Sequence, residues 1–167
     1  MLSKKLQKGF NEQMTFELYS AYIYMAMAAW FRTQNLDGFA GWMEHHAQEE
    51  VTHAMKFYNY LYDRLSSAEF GAIDKPQAVW KSPVDAVKDA FDHEREVTRR
   101  INELVDMAHK ENDHAAHSFL EWFVEEQVEE EKVVDDVYSR MQLVGDFKPG
   151  LFFLDRELAG EAAQGNA

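Results

Sequence analysis

The chain predicts an all-α fold, a four-helix bundle with one long crossover between helices 2 and 3 and a short C-terminal fifth helix. Two observations carry that expectation. Four long segments repeat apolar residues at alternating spacings of four and three, which is how a helix builds one buried stripe. Between them lie two very short turns and one long aperiodic stretch, with only three prolines in 167 residues. Loop length then sets how the helices stack.

The first helix spans residues 3 to about 34, with no Gly or Pro after Gly9. Its stripe is Phe10, Met14, Glu17, Ala21, Tyr24 and Ala28, in which Glu17 is the one charged member. Asn35-Leu36-Asp37-Gly38 makes a turn, so the second helix, about 38 to 65, returns antiparallel. It aligns Phe39, Met43, His46, Glu50, His53, Phe57 and Tyr60. Residues 66 to 82 contain Gly71 and Pro76 and have no helical period. A helix of about 28 residues is roughly 40 Å long, and about seventeen extended residues reach at most roughly 55–60 Å. The segment can therefore run the length of the bundle and set the third helix parallel to the second.

Ser82-Pro83-Val84-Asp85 reads as a helix start, with Ser as cap and Pro in the first turn. The third helix runs to about Glu111 with Ala90, Glu94, Val97, Ile101, Leu104 and Ala108 inward. After Asn112-Asp113 the fourth continues to about Val144, where Gly145 stops it. Its stripe is Leu120, Phe123, Gln127, Glu130, Val134, Val137 and Met141. A fifth helix, about 150 to 160, carries Leu151, Phe152, Phe153, Leu154 and Leu158, and the tail from Gly160 is expected to fray. The whole chain, 1 to 167, reads as one domain with the bundle at about 3 to 144.

Composition narrows the function. Thirty acids against seventeen bases give a net charge of −13, which argues against nucleic acid, since phosphate binding needs clustered Lys and Arg. The chain has no cysteine; disulfides, thiolate metal sites and cysteine nucleophiles are excluded, and His and carboxylate remain as ligands. The longest apolar run, Ala21 to Phe31, is too short to span a bilayer. With no signal peptide legible either, the cytoplasm is the expected location.

The chemistry lies at mid-depth. Each inward stripe is apolar except near its middle, where Glu17, Glu50 with His53, Glu94, and Gln127 with Glu130 stand. Buried carboxylates are rare and costly unless neutralised. Four of them with one imidazole, and no Lys or Arg on the neighbouring turns of those stripes, call for cations; two divalent or trivalent ions would balance the charge. Carboxylate and imidazole donors suit iron or manganese, with zinc as a competitor. Tyr24, two turns along from Glu17, is either an electron donor or hydrogen-bond partner to a ligand, or an ordinary core tyrosine. Glu44, His45, His46 and the run Glu125-Glu126-Glu129-Glu130-Glu131 read as partly solvated. Met14, Met25, Met27, Met43 and Met55 read as core filling, and Trp42 and Trp122 as packing.

With Glu17, Tyr24, Glu50-x-x-His53, Glu94 and Glu126-Gln127-Val128-Glu129-Glu130 in these places, the chain is similar to the non-haem bacterial ferritins of the ferritin-like di-iron carboxylate family, over essentially its whole length. That resemblance implies oxidation of Fe²⁺ by O₂ or H₂O₂ at a di-iron centre, and storage of ferric mineral in a hollow homo-oligomer of twenty-four subunits. It implies that Glu17, Glu50 and His53 hold one iron, that Glu94, Glu130 and a bridging Glu50 hold the other, and that Gln127 lies nearby. It implies a third iron position at Glu49, Glu126, Glu129 and Glu130. Many relatives in the wider family carry a second Glu-x-x-His where this chain has Gln127-Val128-Glu129-Glu130. The haem-ligating Met of bacterioferritins would fall at Val51, so no haem is expected. The acidic pair that lines three-fold pores in many ferritins falls on His117 and Leu120, which leaves the iron access route open.

Three rivals stand beside this reading. A rubrerythrin-like di-iron oxidase or peroxidase that stores nothing is opposed by the missing second Glu-x-x-His and the missing cysteines. A purely structural bundle leaves four buried acids unexplained. Mini-ferritins that protect DNA place their metal ligands between subunits and have no fifth helix in this position.

Overall fold

A computed structural model describes residues 1–145 and 147–165, with side chains given through residue 160 except at 146. Among the described residues five helices occur in the order α1 (Lys4–Thr33), α2 (Asp37–Asp63), α3 (Pro83–Lys110), α4 (His114–Val144) and α5 (Lys148–Gly165). None of them, over the described residues, is long and apolar enough to cross a membrane.

Local chemistry starts three of the helices. The Ser3 hydroxyl accepts from the Leu6 amide at 3.1 Å, the Ser82 hydroxyl from the Asp85 amide at 3.2 Å, and Asp113 Oδ1 from the Ala116 amide at 2.9 Å. Each satisfies an amide that the helix itself leaves unpaired. The ends of α1, α2 and α3 share one device. Asn35, Leu65 and Asn112 adopt φ of 57°, 54° and 53°. The next residue donates back across the last turn, Leu36 to Phe31, Ser66 to Leu61 and Asp113 to Ala108. That pairing is the usual left-handed stop.

The start of α2 is different. Leu36 at its N-cap has no side chain able to accept a bond. The missing acceptor comes from α5, whose Asp155 Oδ1 takes the Phe39 amide at 3.0 Å. Gly38 permits the approach, because a Cβ there would lie 1.7 Å from the Asp155 carbonyl oxygen.

Two apolar clusters reveal the topology. One gathers the ends of α1 and α4 with the starts of α2 and α3: Tyr24, Phe31, Phe39, Met43, Val87, Ala90, Val137 and Met141 are among its members. The other gathers the starts of α1 and α4 with the ends of α2 and α3, among them Phe10, Met14, Phe57, Leu61, Ile101, Leu104, Leu120 and Phe123. Helices α2 and α3 therefore run parallel, and residues 64–82 travel the length of the bundle. Residues on α1 guide the crossover. The Asn11 amide donates to the Ser67 carbonyl at 3.2 Å, its oxygen accepts from the Glu69 amide at 2.6 Å, and Thr15 takes the Gly71 amide at 3.2 Å. At the far end Trp80 is buried against Trp30.

The inward stripes are buried as the periodicity predicts, apart from half-buried Tyr60. Three expectations need correction. The fifth helix spans Lys148–Gly165 rather than about 150 to 160, since Pro149 is tolerated in a first turn. The expected frayed tail begins inside that helix, and residues 166 and 167 lie outside the described residues. Met14, Met27 and Met43 fill the core, whereas Met25 and Met55 stand on the surface at 60% and 45% exposure. Leu154 and Leu158 of α5 are buried while Phe152 and Phe153 are exposed.

The distant cap of α2 is open to test. Asp155→Ala should cost about 1 kcal/mol of stability in denaturant unfolding, and Gly38→Ala should cost more, because a backbone carbonyl must move to admit the methyl. Parent-like unfolding midpoints in both variants would show that α5 does not hold α2.

Candidate metal centre

Between the two apolar clusters lies one polar layer. Helix α1 contributes Glu17, α2 Glu50 and His53, α3 Glu94, and α4 Gln127 and Glu130, all buried. Glu17, Glu50 and His53 each bring one donor atom into a group whose members lie within 4.8 Å of one another. Glu17 Oε1 accepts from Gln13 Nε2 at 2.9 Å, while Glu17 Oε2 and Glu50 Oε2 are buried with no hydrogen-bond partner. The approach of His53 Nδ1 to Glu50 Oε2, at 3.5 Å, leaves that oxygen unsatisfied. Two orphaned carboxylate oxygens beside an imidazole fit a divalent cation with oxygen and nitrogen ligands.

Glu94 is more fully bonded. The Tyr24 hydroxyl donates to its Oε1, and Gln127 Nε2 donates to its Oε2 at 3.1 Å. Glu130 turns the other way, with Oε2 at 3.2 Å from His46 Nδ1. On that side a pocket of about 260 Å³ opens between α2 and α4. Glu49, Glu126, Glu129 and Glu130 all line it, with His45 and His46. Two more convergent groups meet there, His46 with Glu49 and Glu130, and His53 with Glu126 and Glu130.

Electrostatics follow from this layering. Burial, then the neighbouring Glu17 charge, drives Glu50 well above the usual carboxylate range. Burial also raises Glu17, against a lowering by the Gln13 bond. Glu94 is pushed to about 7, by burial first and by Glu130 second. Burial and the Glu94 charge hold the Tyr24 phenol well above its ordinary value, so it stays protonated and donates. Burial pushes His46 down, but Glu130 outweighs it and the net shift is upward. Glu130 shows the mirror image: burial raises it, His46 pulls it down, and it ends below the ordinary value.

Glu17, Glu50, His53, Glu94, Gln127 and Glu130 lie in this layer with Tyr24 bonded to Glu94, and Glu49, Glu126 and Glu129 line the neighbouring pocket. The sequence reading missed several others. His46, read as partly solvated, is buried, stacked on Tyr24 with centroids 5.3 Å apart and 25° between planes; its place on the α2 stripe was the available signal. Gln13 holds Glu17 and is itself held by Arg100 Nε at 3.0 Å. His93, lowered to about 4 by burial, lies 2.7 Å from the Ser20 hydroxyl. Nothing in the stripe pattern marks Gln13 or His93, which face their neighbours from beside it. Trp42 and Trp122 do more than fill space, since each sets a ring edge-on against a site histidine, His46 and His53. Of the two positions aligned with a pore, Leu120 is fully buried in the bundle and can line no channel. His117 is half-buried, its ring centroid 4.2 Å from that of His109.

Comparison with known proteins places this geometry in company. Residues 7–144 match the family model for the ferritin-like domain. A bacterial non-heme ferritin of Staphylococcus aureus is 40% identical over 158 residues, covering 95% of both chains. A probable bacterial non-heme ferritin-like protein of Haemophilus influenzae is 38% identical over 158 residues, covering 95% of this chain and 96% of its own. Among solved structures, an open-pore ferritin from Archaeoglobus fulgidus superposes with a TM-score of 0.94 at 42% identity, covering 95% of this chain and 98% of that one.

The raised carboxyl groups make a pH prediction for the metal-free protein. A folded-state value above the unfolded one favours the neutral form in the fold. For Glu94 the contribution is fully present below the unfolded value of 4.5 and is lost as pH rises through about 7. Stability measured by denaturant should therefore fall between about pH 5 and pH 8, and Glu94→Gln should flatten that fall. An identical slope in the variant would show that Glu94 does not titrate there.

Proposed function

Because this chain belongs to the ferritin family, we propose that it stores iron and acts as a ferroxidase, taking up Fe²⁺, oxidising it within the bundle and passing ferric ion to a mineral inside a multi-subunit shell. The observation that carries this reading is the buried Glu17, Glu50 and His53 group with its two orphaned carboxylate oxygens. Iron is the substrate and the cargo here. We assign one Fe²⁺ to Glu17, Glu50 and His53, and a second to Glu94, Glu130 and a bridging Glu50, with Gln127 beside it.

The chemistry asked of these residues is simple. Fe²⁺ binding favours the ionised forms of Glu50 and Glu94, against the burial that favours their neutral forms. The resulting carboxylates favour the harder Fe³⁺. Two ferrous ions give one electron each; O₂ takes both with two protons and leaves as H₂O₂. With H₂O₂ as the oxidant, the same two electrons and two protons give two waters. The Tyr24 hydroxyl, bonded to Glu94 Oε1, holds that carboxylate in place. Glu49, Glu126, Glu129 and Glu130 form a third iron position on the inner side, supported by their shared pocket.

The shell is a homo-oligomer of twenty-four subunits in this reading. Its support is the apolar surface the isolated chain leaves open, including Met25 and Tyr62 on α1 and α2, Phe70 on the crossover, and Phe152 and Phe153 on α5. The cytoplasm is the proposed location. With Val51 in place of a thioether ligand, the chain is assigned no haem. No observation favours the rubrerythrin-like alternative, a di-iron oxidase or peroxidase that stores no iron.

Glu17→Ala and Glu130→Ala should each slow initial Fe²⁺ oxidation by at least about tenfold while the bundle still folds; unchanged rates in both would place the centre elsewhere. Replacing Glu49, Glu126 and Glu129 together with Ala should leave fast oxidation and change the ratio of iron oxidised to oxygen consumed. Parent stoichiometry in that triple variant, with metal only at the paired positions of Fe²⁺-soaked crystals, would remove the third position. Sedimentation that finds only monomers or dimers would refute the shell.

A further inference from the structure

The two iron positions assigned above are unequally prepared. Glu17, Glu50 and His53 already converge, and Glu17 Oε2 and Glu50 Oε2 are buried beside one another's carboxyl groups with no other hydrogen-bond partner. The residues of the second position are engaged elsewhere. Glu94 has both oxygens bonded, one to Tyr24 and one to Gln127. Glu130 has its Oε2 at 3.2 Å from His46 Nδ1, and the convergent groups that include it contain neither Glu50 nor Glu94.

His46 is built to stay where it is. Its ring is buried, stacked on Tyr24 and met edge-on by Trp42 with centroids 4.9 Å apart. It stands on α2 one turn before Glu50, so its backbone belongs to the same rigid segment as the first position. Glu130 is the partner with somewhere to go. It borders the inner pocket, and it belongs to one group with His46 and Glu49 and to another with His53 and Glu126.

We propose that His46 is a positioning residue that holds Glu130 away from the second iron position, so that the two positions fill in order and Glu130 is surrendered only to an arriving cation. This rests on the ferroxidase reading above. A step that must first separate a buried imidazole from a carboxylate 3.2 Å away is weakened by the loss of that contact. The second cation should therefore bind more weakly than the first for as long as His46 competes for its ligand. Occupied by metal at the second position, Glu130 would leave the inner pocket; returned to His46, it would face the pocket again.

The test is an anaerobic titration of the assembled protein with Zn²⁺ by calorimetry and with Co²⁺ by visible absorption, comparing the first two binding steps. His46→Phe keeps a ring on Tyr24 and His46→Leu keeps only bulk; both remove the nitrogen that faces Glu130. Both should tighten the second step by about tenfold and leave the first unchanged. His46→Asn, whose amide can occupy the place of Nδ1, should stay near the parent. Unchanged second steps in both apolar variants would overturn the inference, and so would the disappearance of a binding step, which would make His46 a ligand. A parent protein that binds neither cation in the bundle would overturn the ferroxidase reading itself, and is told apart by the parent alone.

Discussion

Four glutamates meet in one layer midway along this bundle, and everything else in the fold accommodates them. Glu17, Glu50, Glu94 and Glu130 arrive from four different helices. Among the described residues no lysine or arginine bonds to any of them; Gln13, Tyr24 and Gln127 donate to two of them, and His46 and His53 stand beside the other two. Like charges in a low-dielectric interior repel strongly. A layer of this kind survives only where apolar packing on both sides supplies the stability that the layer withholds. The two clusters do that, one made from each end of the bundle. The long crossover is part of the same requirement, because it lets α3 lie parallel to α2 and brings Glu94 to the depth of Glu50.

The layer has two unlike flanks. On the side of α1 and α3, neutral donors restrain the carboxylates: Gln13 on Glu17, with Arg100 fixing Gln13 in turn, and Tyr24 with Gln127 on Glu94. The guanidinium of Arg100 stays outside, over the face of Phe16 at 4.1 Å. On the side of α2 and α4 the partners are histidines, and beyond them lies an acid-lined pocket with Glu49 and Glu129 more exposed. A cation therefore meets hydrogen-bonded carboxylates on one flank and a more exposed set of acids on the other. Such an arrangement gives the centre a direction.

Much of this was legible in the sequence because a helix converts spacing into depth. Glu17, Glu50, Glu94 and Glu130 could be placed on inward stripes from periodicity alone, and the short turns and long crossover ordered the helices. What periodicity cannot supply is register between helices. That Tyr24 meets Glu94, or that Glu130 leans on His46, depends on how α1, α3, α2 and α4 slide past one another, and no single-helix pattern encodes it. His46 shows a second limit. It lies on the α2 stripe, but the adjacent His45 and acidic neighbours give the stretch a polar composition that conceals its inward phase. Met25 and Met55 erred the other way: apolar composition suggested core where the helix turned them outward.

The bond that the Phe39 amide donates to Asp155 Oδ1 joins positions 116 residues apart in the chain. Translation makes α2 long before α5, so the helix that bears Glu50 and His53 emerges with its Phe39 amide uncapped and keeps it so until Asp155 has been made. A nascent bundle can collapse around its apolar clusters during that interval, but its second helix remains free to fray at the end nearest His46. Arrival of α5 closes that end. Helix α5 thus secures the start of the metal-bearing helix, and the order of synthesis makes that cap a late event.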